Sequence, residues 1–156
     1  MPLKIKEGVK APSVVLQNQD DKTGKLADFL GKKVVLYFYP KDATPGCTTE
    51  ACDFNDNLAS LKRKGVVVLG VSFDDAKSHQ KFKAKHDLGF DLLVDADKTV
   101  AKAFGVYQKK KFMGREFMGI VRSTFLIDEK GKILKIWSPV SVKGHVADVL
   151  NNLKKD

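Results

Sequence analysis

Two thiols, Cys47 and Cys52, are the groups in this 156-residue chain best suited to nucleophilic or redox chemistry, and they are its only cysteines. Their C-x4-C spacing differs from the C-x2-C of zinc ribbons and of dithiol redox motifs. Two cysteines in a chain this long do not make a disulfide scaffold. A zinc site would have to recruit His79, His86 or His145, so neither a metal nor a cofactor is expected. Cys47 closes the segment Pro40-Lys-Asp-Ala-Thr44-Pro-Gly-Cys47, in which Thr44 before Pro45 reads as a helix N-cap with proline at the first helical position. Cys47 then lies in the first turn, where free amide hydrogens and the positive end of the helix dipole favour a thiolate over a thiol. An ordinary cysteine, with a pKa of roughly 8.5, is only a few per cent thiolate at neutral pH. A helix terminus with a nearby cation lowers that value and makes the sulfur a ready nucleophile. Thr-Pro-Gly-Cys at a strand-to-helix turn is a poor way to bury a merely hydrophobic thiol.

Cys52 follows five positions later on the same expected helix. Residues five apart on a helix are separated by about 140° and roughly 8.6 Å between α-carbons. A disulfide without backbone movement spans at most about 7 Å. Cys52 is therefore either an inert thiol or a partner that Cys47 reaches only when the first turns unwind.

The elements that must hold these thiols are legible on both sides. Val34 to Tyr39 and Val66 to Val71 are apolar runs without alternation, as expected of strands buried on both faces in a parallel sheet. Between them Ala51, Phe54, Leu58 and Leu61 recur at helical spacing, which predicts one amphipathic helix ending near Gly65. Further helices are expected over Ala76 to His86, around Val100 to Phe104, and from Lys143 to Leu153, with a short strand at Leu92 to Val94. Ser123 to Ile127 and Ile133 to Trp137 flank the turn Asp128-Glu-Lys-Gly-Lys132 as antiparallel strands, and Val14 to Leu26 predicts a small N-terminal β-hairpin. This order specifies an α/β fold of thioredoxin-like type, a central mixed β-sheet flanked by helices, in a single domain over residues 1–156. The strand-to-helix turn at Pro40–Cys47 falls at the carboxyl end of a strand, where open α/β sheets bind ligands.

Lys and Arg total 28 against 19 Asp and Glu, a formal charge of +9. The basic residues are spread along the chain among acids, and the densest run, Lys109-Lys110-Lys111, is short. A solvated lysine-rich surface accounts for this better than a specific nucleic-acid site. No apolar run reaches the roughly 18 residues of a membrane span. Charged residues interrupt Met1 to Leu16, unlike a secretory signal, so the cytoplasm is the expected location.

Tyr37-Phe-Tyr-Pro-Lys-Asp-Ala-Thr-Pro-Gly-Cys-Thr-Thr-Glu-Ala-Cys52 closely resembles the active-site segment of peroxiredoxins of the bacterioferritin comigratory protein, or Q, subfamily. Gly70-Val-Ser-Phe-Asp74, Ser78-His-Gln-Lys-Phe82 and Gly119-Ile-Val-Arg-Ser-Thr-Phe-Leu-Ile-Asp128 match in the family's order, and Ala43 departs from it where an acidic residue is common. The resemblance implies a thiol peroxidase that reduces hydrogen peroxide and organic hydroperoxides. In it Cys47 is oxidised to a sulfenic acid, Thr44 holds the peroxide, Pro40 shields the sulfenate and Arg122 supplies a guanidinium. It further implies that Cys52 resolves the sulfenate as an intramolecular disulfide, reduced by a thioredoxin- or glutaredoxin-like partner, with a monomer as the expected state. Glu50 is read either as a group orienting Arg122 or as an exposed helix-face carboxylate. His79 and His86 are read as packing or capping histidines, and Trp137 as a strand residue packed at the sheet. Phe112, Met113, Phe117 and Met118 are read as loop or core packing, within a basic stretch, Lys109 to Gly119, that could touch a reductant. Two other classes remain to be weighed: a thioredoxin-like disulfide reductase, which the absent C-x2-C disfavours, and a basic nucleic-acid-binding module.

Overall fold

The β-branched and aromatic runs on either side of the cysteines form the centre of a sheet. In the computed structural model, which describes residues 5–153, they are β3 (Lys33–Phe38) and β4 (Val66–Ser72), paired in parallel from Lys33↔Val66 to Phe38↔Val71. The ends of the expected domain, residues 1–4 and 154–156, lie outside the described residues. Five of the six β3 residues are buried, because the strand packs on both faces.

Around this pair the described residues build a seven-stranded mixed sheet in the order β2-β1-β5-β4-β3-β8-β9. β1 (Val15–Asn18) and β2 (Thr23–Lys25) are the expected N-terminal hairpin, which β1 joins to the sheet by antiparallel pairing with β5 (Asp91–Val94). β8 (Ser123–Ile127) and β9 (Ile133–Trp137) close the other edge at the predicted bounds. On one face Tyr37, Phe54, Leu61, Phe82 and Val149 share a core; on the other Leu36, Phe38, Phe104 and Phe125 do. The expected thioredoxin-like plan is the observed one.

The helix between β3 and β4 differs from the expectation. It is two helices, α1 (Pro45–Asp56) and α2 (Leu58–Arg63), broken at Asn57, whose φ of −105° and ψ of 7° are not helical. Asn57 turns its amide back to the Asp53 carbonyl. Asn55 also holds the 87–89 loop, donating to the Asp87 carbonyl and accepting from Gly89 N–H. Apolar spacing runs through this break because both helices bury the same face. The chain turns out of α2 at Gly65, whose φ of +73° suits glycine. α3 (Ala76–His86) begins where Asp75 accepts from Ser78 N–H at 2.8 Å, followed later by α4 (Thr99–Ala103) and α5 (His145–Leu153).

A second correction concerns residues 107–120. They form a separate antiparallel hairpin, β6 (Tyr107–Phe112) and β7 (Arg115–Ile120), not loop or core packing. Phe112, Met113, Phe117 and Met118 are all exposed, Met113 by 87%. No helix among the described residues is long and apolar enough to cross a membrane.

Candidate active site

β3 delivers the chain to the site, and Tyr39 N–H extends its ladder by donating to the Val71 carbonyl. Pro40 has no N–H to continue it. The backbone turns through Ala43, whose φ is +64°, to Thr44, extended at φ −82° and ψ 154°, with Pro45 as the first residue of α1. Thr44 is thus the N-cap by position, as predicted, but its side chain caps nothing. Its hydroxyl donates to the Lys41 carbonyl at 3.0 Å. Cys47 is the third helical residue, just ahead of the Thr48 N–H to Thr44 carbonyl bond, and only 1% exposed.

A guanidinium from the residue ahead of another strand reaches this buried sulfur. β8 pairs antiparallel with β3, with Ser123 opposite Phe38. Arg122, one residue earlier, therefore lies at the sheet end from which β3 leads to Cys47. Its Nη2 donates to Cys47 Sγ at 3.3 Å and its Nη1 to Glu50 Oε1 at 2.7 Å. Gly46 admits this approach: a β-carbon there would lie 3.3 Å from Arg122 Nη2. Burial opposes the charge on Arg122, but the Glu50 carboxylate and the Cys47 sulfur hold its pKa above the ordinary value.

Glu50 is fully buried, which decides between its two sequence readings. Burial pushes its pKa up to about 7 against the opposing pull of Arg122. Its Oε2 and the buried Tyr37 hydroxyl have no hydrogen-bond partner among the described residues.

Cys52 is half-buried on α1, and both cysteines are free thiols. Burial, then Asp56 and Asp53, raises its pKa. Two groups near the site carried no usable sequence signal. Lys110 on β6 is half-buried, donates to the Ile120 carbonyl, and has its pKa lowered by burial and by Arg122. Asp42, 5% exposed, accepts from Tyr39, Ser78 and His79.

Of the remaining residues singled out in the sequence, Pro40 is half-buried at the start of the active-site turn. His79 is buried between Asp42 and the Leu93 carbonyl, and His86 stacks edge-on against Phe82. Trp137 is half-buried, and its indole donates to Asp148. Asp42, Asp74 and His79 bring potential ligand atoms within 4.8 Å of one another. Both Asp42 oxygens, Asp74 Oδ2 and both His79 nitrogens already face protein donors and acceptors, which suits a hydrogen-bonded cluster better than a metal ion.

The AhpC/TSA family profile matches residues 8–136 of this chain. The chain belongs to the AhpC/TSA family. Its relatives within AhpC/TSA include the Bacillus subtilis peroxiredoxin Bcp, 53% identical over 150 residues that span 96% of each chain. The Escherichia coli K12 peroxiredoxin Bcp is 44% identical over 151 residues, 97% of each chain. Among solved structures, the Xanthomonas campestris bacterioferritin comigratory protein, studied for its alkyl peroxide reduction activity, has a TM-score of 0.90 at 38% identity, covering 96% of this chain and 98% of that one. This AhpC/TSA chain is accordingly an enzyme, a thiol peroxidase of the bacterioferritin comigratory type.

Proposed function

We propose that Cys47 is the nucleophile of this peroxidase and Cys52 its resolving partner. The observation that carries this is the guanidinium of Arg122 on Cys47 Sγ, held from behind by Glu50. A fixed cation stabilises negative charge on sulfur before attack and on the departing oxygen during it. The Cys47 thiolate attacks the terminal oxygen of ROOH. The O–O bond breaks, the leaving alkoxide takes a proton to become ROH, and Cys47 is left as the sulfenic acid. Thr44 holds the peroxide once its hydroxyl turns from the Lys41 carbonyl, and Pro40 covers the sulfenate against further oxidation. Cys52, having lost its proton, then attacks the Cys47 sulfur, the S–O bond breaks, and the departing hydroxyl takes up a proton and leaves as water as the disulfide forms. Both electrons come from sulfur, so the scheme balances without metal or cofactor.

Alkyl hydroperoxides and hydrogen peroxide are the substrate class, supported by the activity described for the Xanthomonas campestris relative. A thioredoxin- or glutaredoxin-like dithiol returns the pair to thiols. The exposed Phe112 and Met113, flanked by Lys109, Lys111 and Arg115 beside the strand leading to Arg122, offer that dithiol protein an apolar and basic surface. Resolution within one chain requires no second subunit, which supports a monomer, and two free thiols suit the reducing cytoplasm. The test is peroxide consumption by Cys47→Ser and Cys52→Ser with a thioredoxin system. Cys47→Ser is expected to be inactive and Cys52→Ser to turn over once and stall. Sustained turnover by Cys47→Ser contradicts the assignment of the nucleophile, and by Cys52→Ser that of its partner.

A further inference from the structure

The peroxidase scheme uses Pro40 and Thr44 but says nothing of what fixes the turn between them, and the residues beneath that turn form a buried polar network. Asp42 is its hub. Asp42 Oδ1 accepts from the Tyr39 hydroxyl at 2.6 Å, and Oδ2 accepts from the Ser78 hydroxyl at 2.9 Å and from His79 Nδ1 at 2.7 Å. The Asp42 N–H donates to Asp74 Oδ2 at 2.8 Å, an oxygen that also accepts from the Ser72 hydroxyl. On the far side, His79 Nε2 lies 2.9 Å from the Leu93 carbonyl of β5. The turn is thereby tied to β3, β4, α3 and β5.

The Leu93 carbonyl only accepts, so His79 Nε2 carries a proton, and Nδ1 shares one with the Asp42 carboxyl. The His79 side chain is 0% exposed and that of Asp42 3%, so a positive charge on the imidazole is enclosed. Burial opposes that charge, but the bond to Asp42, the Asp42 and Asp74 charges and the Leu93 carbonyl outweigh it and raise the pKa. A buried ion pair is a weak source of net stability, because desolvation offsets most of the attraction; its best-attested use is to fix one arrangement among several.

The arrangement here is costly without an anchor. Ala43, next to Asp42, has a φ of +64°, a left-handed conformation that an L-residue with a β-carbon avoids. Strain of this kind persists only where the surroundings over-determine it, and it collects at functional sites. The next residue is Thr44 and three further on is Cys47. We propose that the Asp42–His79 pair is a clamp that holds the strained 40–44 turn, which carries Pro40 and Thr44 into the start of α1 ahead of Cys47, and this makes Asp42 and His79 positioning residues for peroxide attack. The clamp rests on the peroxidase scheme above, since it acts only through the two residues that scheme assigns to the peroxide.

The experiment measures two reactions of Cys47 in the full chain, its second-order oxidation by hydrogen peroxide and its alkylation by iodoacetamide, with the melting temperature recorded for each variant. Alkylation depends on the sulfur and Arg122 but not on Thr44 or Pro40. His79→Gln, folded at 25 °C, is expected to slow peroxide oxidation by about tenfold or more, since displacements near 1 Å have effects of that size. Its alkylation rate stays within about twofold of wild type, the margin separating the two outcomes. Ser78→Ala keeps the ion pair and loses one bond to Asp42, and is expected to give a smaller slowing, about threefold, with the same unchanged alkylation. A folded His79→Gln with wild-type peroxide kinetics overturns the clamp, as does an equal fall in both rates, which marks general disruption. If His79→Gln does not fold, Asp42→Asn, which breaks the same pair from the other side, carries the test, and wild-type peroxide kinetics in it overturn the clamp. Wild-type protein whose Cys47 alkylates but does not react with peroxide contradicts the peroxidase scheme instead, a separate result.

Discussion

At the scale of single residues the site depends on a close approach that a single methyl group would disturb. A β-carbon on Gly46 would stand 3.3 Å from Arg122 Nη2, so the guanidinium would have to retreat from Cys47 by a few tenths of an ångström. Gly46→Ala is expected to slow both peroxide oxidation and neutral-pH alkylation of Cys47, by about three- to tenfold, since both need the charge beside the sulfur. Stopped-flow and alkylation kinetics check this; wild-type rates in both would mean that Arg122 does not act through this contact. The motif around Cys47 was legible because Thr-Pro-Gly-Cys carries its own local physics. Glu50 was legible only in part: its pairing with Arg122 was one of two sequence readings, although it lies three residues after buried Cys47 and four before buried Phe54. Its charge argued for exposure, and the partner that makes burial tolerable is 72 residues away.

At the scale of elements, α1 has to be stable enough to present Cys47 and weak enough to release it. Both cysteines lie on α1, so bonding requires its early turns to unwind. The Asn55 bonds to the 87–89 loop tie down the far end of α1, ahead of the break at Asn57, so the unwinding that the proposed bond requires would fall on the turns that carry the thiols. Thr49 is exposed and bonds back to the Pro45 carbonyl, four residues earlier. Thr49→Ala raises helix propensity by roughly 0.5 kcal/mol, and disulfide closure is expected to slow by about twofold while sulfenate formation keeps its rate. Rapid quenching with mass analysis separates the two steps; equal closure rates would mean that α1 does not unwind in the limiting step. The hairpin β6–β7 escaped the sequence reading for a local reason. Its turn is Met113-Gly114, both at positive φ, where Asn-Gly is the usual signal, and β6 contains three consecutive lysines rather than an alternating pattern.

At the scale of the molecule, buried titratable groups set how stability follows pH. Burial lowers His145, whose Nε2 pairs with the Thr124 hydroxyl, to about 4. Between about 6.5 and 4 the unfolded chain takes up a proton there that the folded chain refuses, so this group costs up to ~3 kcal/mol as pH falls. Glu50 acts in the opposite sense. Its folded pKa of about 7 against an ordinary 4.5 means that the folded chain binds the proton first, and stability rises as pH falls through that window. His79, raised in the folded state, contributes stability below its unfolded pKa that is lost as pH rises through the folded value. His145→Gln removes this opposing slope, so its melting temperature is expected to gain on wild type by about 3 °C or more between pH 6.5 and 4.5. A constant difference across that range would mean that His145 titrates normally. The strands of the main sheet and most helices were readable from hydrophobic pattern, whereas these buried charges depend on contacts between distant segments that no periodicity records.

The most direct measurement is a millisecond mix of the fully reduced protein with one equivalent of hydrogen peroxide, quenched and mapped by mass. An oxygen should appear first on Cys47 alone and then give way to a Cys47–Cys52 bond with loss of water. Oxidation that begins at Cys52, or that leaves Cys47 a free thiol, would contradict the account.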